Sequence, residues 1–221
     1  MAIDFSRIGA VLFDVDGTLR DTDDELVHIA EGVLRRVAGP DRAARWGRPA
    51  VLAVERPVQT LLRIADYVDL DGPLNRLIDA LSPRGVTRTC PGVREALSAL
   101  HGRVGIGIVS AGPQRQVERF LDQHELRGLV DVVVTGQTYR RTKPHPEPLL
   151  GALRTLGVPA PHAVMVGDTM VDIKAGNAAG TQTFGVLSGF GTRRDLLRHG
   201  PGQIASTLDP LVSGIVGTCA G

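Results

Sequence analysis

The chain has very little lysine. Of its 25 basic residues only Lys143 and Lys174 are lysines, and the other 23 are arginines. In so arginine-biased a sequence, a lysine marks a place suited to a compact point charge rather than a broad guanidinium fork. Neither sign of charge is in excess, since 24 acidic residues leave a formal net charge of +1. That balance gives no basic footprint for nucleic acid or an anionic membrane. Cysteine is equally sparse: Cys90 and Cys219 stand far apart, in no metal-ligand spacing, as in a reduced compartment. No apolar run approaches bilayer-spanning length. The opening MAIDFSRIGAVLFDV lacks the basic start and long apolar core of a secretory signal, so a cytoplasmic location is expected.

What is present is an ordinary globular composition, 43% hydrophobic and 22% charged over 221 residues. This is enough for one substantial core, or a core with a small appended domain. Short β-rich runs at Ile8–Phe13, Val104–Val109, Val130–Thr135, Ala163–Val166 and Thr181–Val186 predict strands. Between them, Gly92–His101, Pro113–Glu125, Pro146–Leu156 and Val171–Ala179 carry helical patterns. Near-continuous apolar strands alternating with helices predict a doubly wound, Rossmann-like parallel sheet of the α/β class. Such sheets bind ligands beyond the carboxyl ends of their strands, where Asp14, Ser110, Thr135 and Asp168 are expected to emerge together.

From 21 to 86 the alternation stops and only helical patterns remain, near Asp24–Val37, Pro49–Tyr67 and Pro73–Leu81. The expected organisation is an α/β core of 1–20 and 87–221 with a small α-helical domain, 21–86, inserted after the first strand. Its hinges fall at the acidic segment Arg20–Asp24 and at Ser-Pro-Arg-Gly, 82–85. The small residues Ser213–Gly221 read as a frayed end.

Four clusters carry chemistry. The first, Asp14-Val15-Asp16-Gly17-Thr18, puts two carboxylates where the first strand ends. It reads either as an acidic Asp-Gly turn or as a site for a divalent cation and a carboxylate nucleophile. The second, Val109-Ser110-Ala111-Gly112, lies between a strand and a helix N-terminus, as an anion site or a plain cap. The preceding Gly105-Ile106-Gly107 has two glycines of a dinucleotide fingerprint without the third. In the third, Thr142-Lys143-Pro144-His145-Pro146, two prolines stiffen the backbone around one of the two lysines, a phosphate-ligand candidate, while His145 reads as structural. In the fourth, Gly167-Asp168-Thr169-Met170-Val171-Asp172, Asp168 ends an apolar strand. Asp172 falls in a first helical turn, where acids are commonly caps.

Together, DVDGTL at 14–19, VSAG at 109–112, KPHPEPL at 143–149 and GDTMVDIKAGNAAG at 167–180 resemble the four ordered motifs of the haloacid dehalogenase superfamily, specifically its phosphatases with a helical cap. The resemblance covers residues 8 to about 200, and 21–86 falls where that family places its cap. It implies Asp14 as nucleophile and Mg²⁺ ligand, with Asp16 as general acid/base giving its main-chain carbonyl to the metal. Thr18, Ser110, Ala111 and Lys143 would bind the phosphoryl group, Asp168 would ligate Mg²⁺, and Asp172 would support the site from behind.

Within the family, Asp16 argues against dehalogenation, because a halide needs no proton. The absence of lysine from 21–86 excludes the Schiff-base hydrolases. Together with the downstream GFGTRRDLL, the fourth motif most resembles phosphoglycolate phosphatases. The expected function is therefore a Mg²⁺-dependent phosphatase that hydrolyses a small-molecule phosphate monoester, phosphoglycolate-like or a sugar phosphate, through an aspartyl-phosphate intermediate, as monomer or homodimer. The alternative is a β-phosphoglucomutase, which returns the phosphoryl group to a sugar. From another class, a phosphoaccepting receiver domain shares the sheet, acids and lysine but lacks the insert and the DxDGTL order. A catalytically idle interaction protein fits poorly with every catalytic position filled. Arg45, Arg48, Arg56 and Arg63 in the insert are either ligands for a substrate carboxylate or a solvated arginine face.

Overall fold

A computed structural model of the chain describes residues 2–21, 87–189 and 191–218. Six parallel strands form one sheet: β1 (Ala10–Phe13), β2 (Gly105–Val109), β3 (Val132–Val134), β4 (Ala163–Gly167), β5 (Gln182–Val186) and β6 (Gln203–Ala205), in the order β3-β2-β1-β4-β5-β6. Helices lie between them: α1 (Val93–Leu100) before β2, α2 (Gln114–Gln123) before β3, α3 (Glu147–Leu156) before β4 and α4 (Met170–Ala179) before β5. α5 (Arg193–Leu197) precedes β6, and α6 (Asp209–Thr218) follows it. The core is thus the expected doubly wound α/β sheet, and the five predicted strands stand within a residue or two of where the apolar runs put them. No helix among the described residues is long and apolar enough to cross a membrane.

Strand pleating sorts the apolar residues into two layers. Val11 and Phe13 of β1 join Ile106, Ile108, Val164 and Val166 beneath α1, α2 and α6. Ala10 and Leu12 face the other way, with Met165, against Leu149 and Leu153 of α3 and Ala175 of α4. All four residues of β1 and all five of β4 are buried, which is why these strands read as unbroken apolar runs. Gly105 and Gly107 are not a nucleotide loop: both lie inside β2. A side chain at 107 would meet Leu12 Cδ2 at 2.6 Å, so packing against the neighbouring strand explains that glycine.

Two expectations for the C-terminal part are corrected. α5, β6 and α6 were absent from the predicted elements, and Ser213–Gly221 was read as frayed. Helix α6 instead runs to Thr218, with Leu211 and Ile215, four residues apart, buried against the first layer. Small residues at 213, 214 and 217 obscured the two apolar anchors. The side chain of Phe5 packs so close to Gly214 that a Cβ there would meet it at 2.7 Å.

The insert expected at 21–86 lies outside the described residues but for Asp21. The two chain segments that lead to and from it run side by side. Cys90 N donates to Leu19 O at 2.8 Å, and Asp21 N donates to Arg88 O at 2.9 Å.

If α6 is part of the core, Leu211→Ala should lower unfolding free energy by about 2–5 kcal/mol, the usual cost of a buried Leu-to-Ala cavity. Urea denaturation of the purified variant measures this. A change under about 0.5 kcal/mol would mean the helix end carries no packing.

Candidate active site

Strand order reverses beside β1. From β1 the chain winds outward through β2 and β3, then returns to place β4 on the other flank of β1. A crevice opens at such a switch point. Asp14 and Asp168 follow β1 and β4 and therefore flank it. The ladder continues to the site, since Asp14 N donates to Val166 O at 3.0 Å and Ser110 N to Val134 O at 3.0 Å. Asp14, Ser110, Thr135 and Asp168 all emerge at this one edge and all are buried.

Lys143 is the centre of the cluster. Its Nζ donates to Asp14 Oδ1 at 2.6 Å and to Asp172 Oδ1 at 2.7 Å, with only 5% of the residue exposed. The Lys143–Pro144 peptide is cis. Burial works against the lysine's charge, but Asp14 and Asp172 outweigh it and hold its pKa above the ordinary value. Asp172 uses both oxygens, its Oδ2 accepting from Thr169 Oγ1 at 2.7 Å and Thr169 N at 3.2 Å. It is therefore a helix cap and a lysine partner at once, so the two readings of this residue are not exclusive. His145 has the structural place expected of it: Nδ1 accepts from Glu147 N at 3.2 Å at the start of α3.

Asp14, Asp168 and Asp172 each present a carboxylate oxygen, and these atoms lie within 4.8 Å of one another. Three carboxylates around one ammonium leave an excess of negative charge in a desolvated crevice. Burial pushes the Asp14 carboxyl up to about 7, with Lys143 pulling it down and Asp172 and Asp16 raising it further. A hard divalent cation with oxygen ligands fits this donor set and would offset its excess charge. Sequence reasoning named Asp14, the Asp16 carbonyl and Asp168 as the ligands; the side-chain cluster also brings Asp172 within reach.

The surrounding loops approach closely. Gly17 has φ +78°, and a Cβ there would meet Asp168 Oδ2 at 2.5 Å, so the turn needs glycine for its conformation and for space. Thr18 Oγ1 points back to Asp168 Oδ1 at 3.4 Å, although it was expected to serve the phosphate. Ser110 Oγ accepts from Gly112 N at 3.0 Å, and Ala111, also assigned to phosphate, is exposed beside it. The Asp16 carboxylate is partly exposed and ion-paired with Arg20.

Two features escaped the sequence reading. One is the Arg20 partner of Asp16, because 20–24 was read only as a hinge. The other is the loop after β5. Ser188 Oγ donates to Gly17 O at 2.7 Å, and a side chain at Gly189 would strike Asp168 Oδ2 at 2.2 Å. The GFG text at 189–191 was the available signal, but it was weighed as resemblance rather than as close approach.

A family model of haloacid dehalogenase-like hydrolases matches residues 11–186. A phosphoglycolate phosphatase of Pseudomonas fluorescens is 29% identical over 95% of this chain and 80% of its own length. One from Aliivibrio fischeri is 31% identical over 84% of this chain and 87% of its own length. Among solved structures, a haloacid dehalogenase family hydrolase of Deinococcus radiodurans superposes with a TM-score of 0.70, covering 97% of each chain at 20% identity, a likeness of fold. The chain belongs to the haloacid dehalogenase-like hydrolases. It is an enzyme of that family, and the two curated relatives just described are phosphatases.

Lys143→Met keeps the volume but removes the ammonium bonded to Asp14 and Asp172. The buried carboxylates then repel one another, so the melting temperature should fall by several degrees. Millimolar Mg²⁺ should recover more stability in this variant than in the wild type. Equal melting curves for the two proteins without metal would show that the ion pairs carry no weight.

Proposed function

We propose that the enzyme hydrolyses a small-molecule phosphate monoester, phosphoglycolate or a compound like it, with Mg²⁺ as cofactor and Asp14 as nucleophile. The observation that carries this reading is Lys143 held between Asp14 and Asp172 beside Asp168, at the ends of adjacent strands. A dianionic phosphate would be repelled by three carboxylates unless cations compensate them. Lys143 supplies one compensating charge. Mg²⁺, held by Asp14, Asp168 and the Asp16 carbonyl, would supply the rest as a Lewis acid for the phosphoryl oxygens.

In the first step an Asp14 carboxylate oxygen forms a bond to phosphorus as the bond to the ester oxygen breaks, and Asp16 donates a proton to the departing alkoxide. The product is an acyl phosphate on Asp14. Asp16, now a carboxylate, accepts a proton from water as the water oxygen attacks phosphorus, and Asp14 leaves as a carboxylate with inorganic phosphate released. Ser110 and the backbone N–H of Ala111 lie at the N-terminal approach to α2, where an anion's oxygens are well met. Lys143 shields the nucleophile from its own substrate.

In this reading residues 21–86 form a helical cap domain that sets specificity, with 1–20 and 87–221 as the catalytic core. The name of the relatives supports phosphoglycolate as first choice within the class.

The test is a panel of phosphorylated metabolites with Mg²⁺, run beside Asp14→Asn. Phosphoglycolate should rank first. Excess chelator should abolish turnover, and the variant should lose at least a thousandfold while keeping its melting temperature. Turnover in chelator would remove the metal from the mechanism. A tenth of wild-type activity in Asp14→Asn would remove the nucleophile.

A further inference from the structure

Asp14 and Asp16 are two residues apart and have different counter-ions. Asp14 meets the buried Lys143, whereas the Asp16 Oδ1 meets a guanidinium nitrogen of Arg20, four residues on in the same turn. The guanidinium does not belong to a loose surface arm. Its side chain is 14% exposed, against 36% for that of Asp16. The backbone that carries it is fixed from two directions. Arg20 N donates to Val15 O at 2.8 Å, and Gly17 N donates to Arg20 O at 2.9 Å, closing the turn after β1. Arg20 also pairs antiparallel with Thr89, in the returning segment. The other Asp16 oxygen faces the second motif. A Cβ placed at Gly112 would lie 3.7 Å from Asp16 Oδ2 and 3.2 Å from Ser110 Oγ.

We propose that Arg20 is the positioning residue for Asp16. It holds Oδ1 against the turn so that Oδ2 stays on the Ser110–Gly112 side, where the leaving oxygen of a phosphate ester would stand. The inference deepens the phosphatase reading above and rests on it. A carboxylate with 36% exposure and no such tether would sample several rotamers, and proton transfer needs the acid within hydrogen-bond reach of the departing oxygen. The same residue joins this alignment to the paired segments at 19–21 and 88–90, so displacement of those segments would move Asp16 with them. A guanidinium suits the task because its planar fork is pre-organised and stays charged throughout.

The experiment compares Arg20→Ala, Arg20→Lys, Asp16→Asn and the double variant Asp16→Asn/Arg20→Ala on two substrates. These are 4-nitrophenyl phosphate and the fastest alkyl phosphate of the metabolite panel. A nitrophenolate departs without a proton, so misplacing the acid should matter less there. Arg20→Ala should lower kcat on the alkyl phosphate at least tenfold with KM within about threefold of wild type, and cost the aryl substrate markedly less. Arg20→Lys should recover part of the loss. The double variant should be no slower than Asp16→Asn alone, because the tether has nothing left to position. Equal losses on both substrates, additive with Asp16→Asn and accompanied by a lower melting temperature, would make Arg20 a structural residue and overturn the proposal. Wild-type rates in Arg20→Ala would overturn it as well. Wild-type protein inert toward both substrates would instead overturn the phosphatase reading, and this proposal with it.

Discussion

One ammonium group organises the site. Lys143 lies against two carboxylates at 2.6 and 2.7 Å, and its partners come from different parts of the chain: Asp14 from the end of β1 and Asp172 from the first turn of α4. Asp168, at the end of β4, completes the acidic cluster. Removing charged groups from water costs several kcal/mol each unless they compensate one another. Arginine is the ordinary cation of this chain, yet its fork is broader than the space between two carboxylates this close. Lysine puts a point charge and three donors at its tip, which suits a place between two carboxylates.

The fold's contribution is to let these groups meet without distortion. β1 and β4 are neighbours in register, Phe13 opposite Val166, so the residues just beyond them arrive at the same level on either side of the switch point. The loops then have to come closer than side chains allow. Gly17 and Gly189 both come close to Asp168 Oδ2, and the Ser188 hydroxyl ties the second loop to the first. An acid enclosed in this way has few rotamers, which is the form of pre-organisation a metal ligand needs.

The legible parts of the sequence were those governed by local chemistry. Short apolar or β-rich runs gave five strands, clearest in β1 and β4, whose residues are buried throughout. The acids and the serine that end them were placed at one edge because a parallel sheet puts all its carboxyl ends together. β6 was missed because Gln203-Ile204-Ala205 is three residues long and only half-buried, too little for any period to register. α6 was misread because two anchors, Leu211 and Ile215, are outnumbered by small residues, although their spacing of four was visible. The second use of Asp172 and the pairing of Asp16 with Arg20 depend on rotamers and on neighbours chosen by tertiary packing. No spacing rule reports these. The reading of 21–86 as a cap, and of its arginines, falls outside the described residues, so its support remains the pattern of the sequence and the family's organisation.

Two aspartates of one short motif end in unlike surroundings, and the contrast bears on the division of labour proposed for them. Asp14 is held by a residue of the interior, from the segment before α3, and its side chain is 10% exposed. A nucleophile that must meet phosphorus in line gains from that immobility, since alignment lost is rate lost. Asp16 is more exposed and is paired within its own turn, beside the segments that lead to and from residues 22–86. A group that gives a proton to one oxygen and takes one from another needs access to both, and a place it can return to between steps. The sequence puts the two acids side by side, but their partners make one a fixed point of the core and tie the other to its margin.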